Sequence, residues 1–136
     1  MNKIEPFLGL WKLIPEQSKY ESGTPPQSGS YEIIGDGQQL TFKMDWVDST
    51  GQQKQMTFSE ICDGQFHPYA DNSAVDEICL KLASPTLSES HAKQSGELQF
   101  SASRELLSNH SMKIIQSGKK PDGTWFKNIS WYKKIK

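Results

Sequence analysis

From Gln39 to Trp46 the chain alternates strictly, with Leu40, Phe42, Met44 and Trp46 on one side and Thr41, Lys43 and Asp45 on the other. A two-residue period fits an extended strand with one buried face, because successive side chains leave a strand on opposite sides. The pattern returns at Met56 and Phe58, at Ile78, Leu80 and Leu82, at Leu98, Phe100 and Ala102, and at Met112 and Ile114. Turn chemistry separates these runs at short, even spacing: Gly35-Asp36-Gly37, Asp48-Ser49-Thr50-Gly51, Cys62-Asp63-Gly64, Ser84-Pro85, Gln94-Ser95-Gly96, Ser108-Asn109 and Pro121-Asp122-Gly123. No window holds a helical period over ten residues. Short strands, each with one apolar face and joined by tight turns, predict an all-β, antiparallel up-and-down β-barrel of about eight to ten strands.

The 136 residues fit a single barrel domain, 1–136, large enough to enclose a core. The formal net charge is −1 and no run of five like charges occurs, so no nucleic-acid partner is expected. The basic C-terminal segment Trp131-Tyr132-Lys133-Lys134-Ile135-Lys136 reads as a solvated end. No stretch reaches the length of a membrane span. Met1-Asn2-Lys3-Ile4-Glu5-Pro6 lacks the apolar core of an export leader, so a cytoplasmic location is expected, or a periplasmic one if a leader has been removed. Cys62 and Cys79 then read as free thiols, and the expected state is a monomer or weak homodimer. Two polar connections break the rhythm, Pro15 to Ser30 and Gln65 to Val75, and both are expected at an open end, the first crossing one mouth as a lid.

At the start of the first strand, Gly9 supplies backbone freedom just before the large apolar Trp11. These two are expected to close one end of the barrel. Gly9-Leu10-Trp11 resembles the Gly-x-Trp opening of lipocalins and fatty-acid-binding proteins, the calycin barrels. Further along stand Trp11-Lys12-Leu13, Ser18-Lys19-Tyr20, Gly23 and Pro25-Pro26-Gln27-Ser28, then Asp63-Gly64, Pro68, Ala74-Val75-Asp76 and Asn128-Ile129-Ser130-Trp131-Tyr132. With these, nearly the whole chain looks like a small bacterial lipocalin-like domain. That resemblance implies a fold and assigns no reaction.

Polar residues on inward faces are the informative ones. Counting alternation from Leu87 places Glu89 and His91 in the lumen, and counting from Leu98 places Arg104 there. On the last strand either the face of Phe126, Asn128, Ser130 and Tyr132 or that of Trp125, Lys127, Ile129 and Trp131 points inward. In fatty-acid-binding proteins an Arg-x-Tyr pair on the final strand captures the ligand carboxylate. Tyr132 matches that tyrosine, Ser130 stands in the arginine's place, and Arg104 is the substitute cation. A guanidinium binds a carboxylate through two parallel bonds and a phenol adds a third donor. The expected function is therefore non-catalytic binding of a small hydrophobic or amphipathic ligand. Leu40, Phe42, Met44, Met56, Phe58, Leu80 and Phe100 would form the walls and Arg104 and Tyr132 the anchors.

Competing readings use the same residues. Arg104 paired with Glu89 or Glu105 would fix strand register. Glu89, His91, Arg104 and Tyr132 together would suit proton transfer on a small aromatic or carboxylate substrate. A lumen filled by its own side chains would be a structural or protein-binding barrel. No metal or other cofactor is expected: His67 and His110 lack ligand spacing, and no histidine after His110 is available to haem.

Overall fold

The computed structural model describes residues 5–36, 39–69 and 75–136. The expected turn at Gly37 and the middle of the Gln65–Val75 connection lie outside the described residues. A 3-10 turn, Glu5–Phe7, precedes β1 (Gly9–Leu13), and a second, Pro15–Gln17, precedes the two-residue β2 (Lys19–Tyr20). The strands β3 (Ser28–Asp36), β4 (Gln39–Val47), β5 (Gln53–Ile61) and β6 (Phe66–Pro68) follow. After them come β7 (Glu77–Ser84), β8 (Leu87–Gln94), β9 (Glu97–Ser108), β10 (Ser111–Lys119) and β11 (Trp125–Lys134).

Hydrogen bonding orders the sheet β5-β4-β3-β1-β11-β10-β9-β8-β7-β6, with β2 attached to β11 beside β1. Every ladder is antiparallel. The up-and-down barrel predicted from alternation is thus present, with ten strands along the ladder. It closes nearly, not completely. Between β5 and β7 there is a single bridge, Cys62 with Leu80, supported by the Gly64 N–H donating to the Leu80 carbonyl at 2.8 Å. The other half of β5, residues 53–57, is exposed.

Local chemistry sets the register. Ser95 and Gly96 have φ of 52° and 82° between the paired Gln94 and Glu97. Two consecutive positive φ values are what the mirror-image two-residue hairpin turn requires. Gly9 is fixed for two reasons: its φ is +136°, and a Cβ there would lie 2.6 Å from the carbonyl oxygen of Lys136. That close approach lets Leu10 and the chain's last residues exchange backbone bonds at 2.7 Å, joining β1 to β11.

One end of the barrel is packed solid. Trp11 is 0% exposed and sits among Phe7, Ile33, Leu40, Leu80 and Met112. Its indole N–H donates to the Phe7 carbonyl at 3.0 Å, which satisfies the polar edge that an apolar plug would otherwise bury unpaired. Trp11 thus fills this end together with Phe7 of the preceding 3-10 turn.

Candidate functional site

Two chambers lie above the packed end. The larger, about 470 Å³, is walled by Met56 and Phe58 of β5, Ile78 of β7, Ser90 and Ala92 of β8, Phe100 of β9, and Gly118 and Phe126 of β10 and β11. Tyr69 and Val75 flank it at the β6–β7 connection. The smaller, about 310 Å³, lies under the β2–β3 connection and is lined by Leu13, Tyr20, Pro26, Met44, Ser130 and Tyr132, among others. Met56 borders both. The Pro15–Ser30 connection carries the short 3-10 turn and β2, and its Tyr20, Thr24 and Pro26 line the smaller chamber. Asn128 holds it in place: its side-chain oxygen accepts the Glu21 and Ser22 N–H groups at 3.0 and 3.1 Å, and its amide donates to the Ser22 carbonyl.

Arg104 is 3% exposed and lines neither chamber itself, but each of its two hydrogen-bond partners lines one. Its Nε donates to the Tyr31 hydroxyl at 2.9 Å, and Tyr31 lines the smaller chamber. Its Nη2 donates to Ser90 Oγ at 3.1 Å, and Ser90 lines the larger. The guanidinium lies over the Phe42 ring, Cζ 4.4 Å from the centroid. Nη1 has no hydrogen-bond partner among the described residues. No carboxylate among them pairs with Arg104 either, the ion pairs being His67–Asp63, His91–Glu89 and Lys119–Glu97. A buried cation held by two neutral hydroxyls, with one N–H2 group idle, is an electrostatically incomplete site.

Tyr132 completes this layer. Its ring meets Tyr31 edge-on at 5.6 Å, and Tyr31 meets Phe42 edge-on at 5.9 Å. Burial pushes the Tyr132 phenol far above its usual range, Tyr31 and Tyr20 add to the rise, and Arg104 opposes it. A phenol kept neutral is a hydrogen-bond donor and not a base. Tyr20 and Ser130 hydroxyls bond each other at 3.1 Å in the wall of the smaller chamber.

Of the two faces left open for the last strand, that of Phe126, Asn128, Ser130 and Tyr132 points inward: Asn128 and Ser130 are buried, whereas Trp125 and Lys127 are exposed. Met44, Met56, Phe58 and Phe100 border the chambers. Leu40, Phe42 and Leu80 do not wall them; all three are part of the packed floor, where Phe42 stacks on Phe58 at 4.8 Å.

Glu89 requires correction. The buried face of β8 is Ser88, Ser90 and Ala92, so Glu89 points away from it and lines neither chamber, whereas His91, half-buried, borders the larger chamber beside Ser90 and Ala92. His91 Nδ1 meets Ser101 Oγ at 2.8 Å and His91 Nε2 meets Glu89 Oε1 at 3.3 Å. Ser88, Ser90 and Ala92 stand opposite Leu82, Leu80 and Ile78 of β7, so they share the inward face and Leu87, from which the count starts, lies on the other one. The packing reason is volume: small Ser and Ala residues on β8 leave the space that the Arg104 side chain fills. With Glu89 lining neither chamber, the four groups of the proton-transfer reading are not brought together. Arg104 pairs with neither Glu89 nor Glu105.

Three interior residues escaped the sequence reading. Ser90 and Tyr31 hold Arg104, and Glu60 of β5 is 9% exposed on the face that continues Met56 and Phe58. The same alternation pointed to Glu60. Burial raises the Glu60 carboxyl above its ordinary value, against the Ile61 N–H and the nearby His67, which lower it. Burial likewise raises the Cys62 and Cys79 thiols, so both stay protonated.

No protein-family model matches the chain, and no curated protein matches it in sequence. Solved structures do. A fatty-acid-binding protein from Schistosoma mansoni, in complex with arachidonic acid, superposes with a TM-score of 0.61 at 14% identity, covering 99% of this chain and 100% of that one. Zebrafish ileal bile acid-binding protein, complexed with cholic acid, gives 0.57 at 12% identity over 96% and 99% of the two chains. A protein of unknown function of the DUF3598 family, from Nostoc punctiforme, gives 0.61 at 14% identity, covering 97% of this chain but 49% of that one. Identities this low speak for architecture alone: an antiparallel β-barrel similar to those of these proteins.

Proposed function

We propose that the barrel binds a small amphipathic molecule with a carboxylate-like head, the head resting on Arg104 and the apolar body in the larger chamber. The observation carrying this reading is the Arg104 guanidinium. It is buried, lacks a carboxylate partner among the described residues, has an idle Nη1, and bonds two hydroxyls that each line one of the cavities. A ligand carboxylate would neutralise the charge and accept the unused N–H groups. The Tyr132 phenol, held protonated by burial, is the neighbouring donor. The larger chamber has the apolar lining and the volume of a small-molecule site. Two barrels of the same architecture were solved with arachidonic acid and cholic acid, both carboxylic acids, which supports a ligand of this class here.

The test is a fluorescence titration with cis-parinaric acid and its methyl ester, which differ in the anionic head and little else. The acid is expected to bind at least about 10-fold tighter than the ester, corresponding to one charge-assisted contact. Equal affinity for the two, or no saturable binding of either, would overturn the proposal.

A further inference from the structure

A second surface is marked by charge on the outside of the barrel, independently of the lumen. No Asp or Glu occurs anywhere in β1, β2, β10 or β11, which are neighbours in the sheet. The outward side chains of β11 run Trp125, Lys127, Ile129, Trp131 and Lys133, and those of β10 include Lys113 and Ile115. Register places these rows together: Ile115 lies opposite Ile129, Lys113 opposite Trp131, and Lys12 of β1 opposite Lys133. The acids nearest this face lie at its border. Glu97 reaches Lys119 at 3.8 Å, Glu105 stands opposite Lys113 on β9, Glu21 accepts the Lys127 backbone N–H, and Glu16 is in the 3-10 turn before β2. In a chain of net charge −1, an acid-free basic face is a marked asymmetry.

We propose that this outer β10–β11 face docks on an anionic lipid surface, with lysines toward the headgroups and the Trp125–Ile129–Trp131 row at the interface. Charge complementarity identifies an anionic partner, and the aromatic rings choose among anionic partners. Tryptophan and lysine interleaved along a strip with isoleucines between them suit a membrane–water boundary. Trp125 is 42% exposed with no residue required to cover it. A nucleic acid fits less well: it would stack bases on open ring faces, and the Trp131 face carries the Lys113 ammonium, 5.6 Å from the ring centroid.

The test is sedimentation of the full chain with vesicles of phosphatidylcholine alone and of phosphatidylcholine with about 30% phosphatidylserine. Each lysine near an anionic surface contributes about 1 kcal/mol, or about fivefold. The triple variant Lys113→Glu, Lys127→Glu, Lys133→Glu is therefore expected to lose at least about 30-fold in affinity for the anionic vesicles. Raising salt from about 50 to 500 mM should weaken the wild type similarly. The exposed control triple Lys43→Glu, Lys54→Glu, Lys81→Glu should stay within about threefold, and Trp125→Ser should lose about five- to tenfold. Equal loss in both triples, or wild-type binding no stronger to anionic than to neutral vesicles, would overturn the assignment. Tighter binding to an oligothymidylate than to vesicles would give the face to nucleic acid and refute it too. Salt dependence on the wild type needs no variant to fold, and none of these outcomes depends on whether the lumen holds a ligand.

Discussion

Replacing Arg104 with Met separates a ligand anchor from a structural arginine. In the free protein the guanidinium makes two charge-assisted bonds, to Tyr31 and Ser90, each contributing roughly 1.5–3 kcal/mol. Its position over Phe42 adds about 2 kcal/mol in a desolvated setting. Against these stand the several kcal/mol lost on burying the charge and about 1–3 kcal/mol for the unpartnered Nη1. The opposing contributions nearly cancel. Methionine retains the contact with Phe42, and the Tyr31 and Ser90 hydroxyls are free to turn toward each other or toward water. Arg104→Met should therefore change the stability of the free protein by no more than about 1.5 kcal/mol, in either direction. That is a melting shift of about 5 °C or less, read by circular dichroism. Binding should respond very differently. Removing the cation from a buried carboxylate pair costs about 2–4 kcal/mol, so cis-parinaric acid should weaken roughly 30- to 1,000-fold while its methyl ester changes less than about threefold. A loss above about 3 kcal/mol in the free protein, with acid and ester affected alike, would refute the reasoning and make Arg104 a structural strut.

Two further substitutions probe the interior. A Cβ on Gly118 would lie 2.5 Å from the edge of the Phe126 ring, and both residues wall the larger chamber. Gly118→Val should push that ring into the cavity and weaken acid and ester equally, by about tenfold; a loss confined to the acid would show that the apolar body lies elsewhere. For Glu60, burial raises the folded-state pKa, so the ionised form is the less stable one in the fold and the penalty disappears as pH falls through that raised value. Glu60→Gln should accordingly be more stable than wild type at pH 7.5, by up to about 1 kcal/mol in urea unfolding, with the difference shrinking toward pH 4. A difference independent of pH would mean that desolvation of the carboxylate is not its source.

The barrel was legible because alternation is a local property that tertiary packing preserves: Leu40 and Phe42 are buried and Met44 borders a chamber, just as the period demands. Arg104 was legible by the same count along β9. Glu89 failed because the count takes Leu87 as inward, whereas the face of β8 is set by the pairing of Ser88, Ser90 and Ala92 with Leu82, Leu80 and Ile78 of β7, which the sequence of β8 alone does not show. The residues that hold the guanidinium were hidden for a different reason. Ser90 and Tyr31 lie 14 and 73 positions away from it, and a serine beside an alanine on a strand has no signature until the facing strand is known. The basic outer face was also missed. Its C-terminal lysines read as a frayed end along the chain, whereas the sheet lays β1 and β2 against the same flank.

The pairing of β1 with β11 carries a consequence for the order in which this molecule comes together. Trp11 faces Lys134 across the ladder, and Leu10 bonds both Ile135 and Lys136, so the contact that seats the plug spans about 120 residues, a loop whose closure costs about 4 kcal/mol of chain entropy. The hairpins from β7 through β11 each have their partner next in sequence and are able to form early. The plugged end has no such shortcut. A ribosome must finish residue 136 before the Trp11 indole has a complete floor to settle into, and until then the first strand waits with its largest apolar side chain unsheltered. Slow final closure follows from the same strand pair that seats the plug, although β1 already has β3 as a nearer partner.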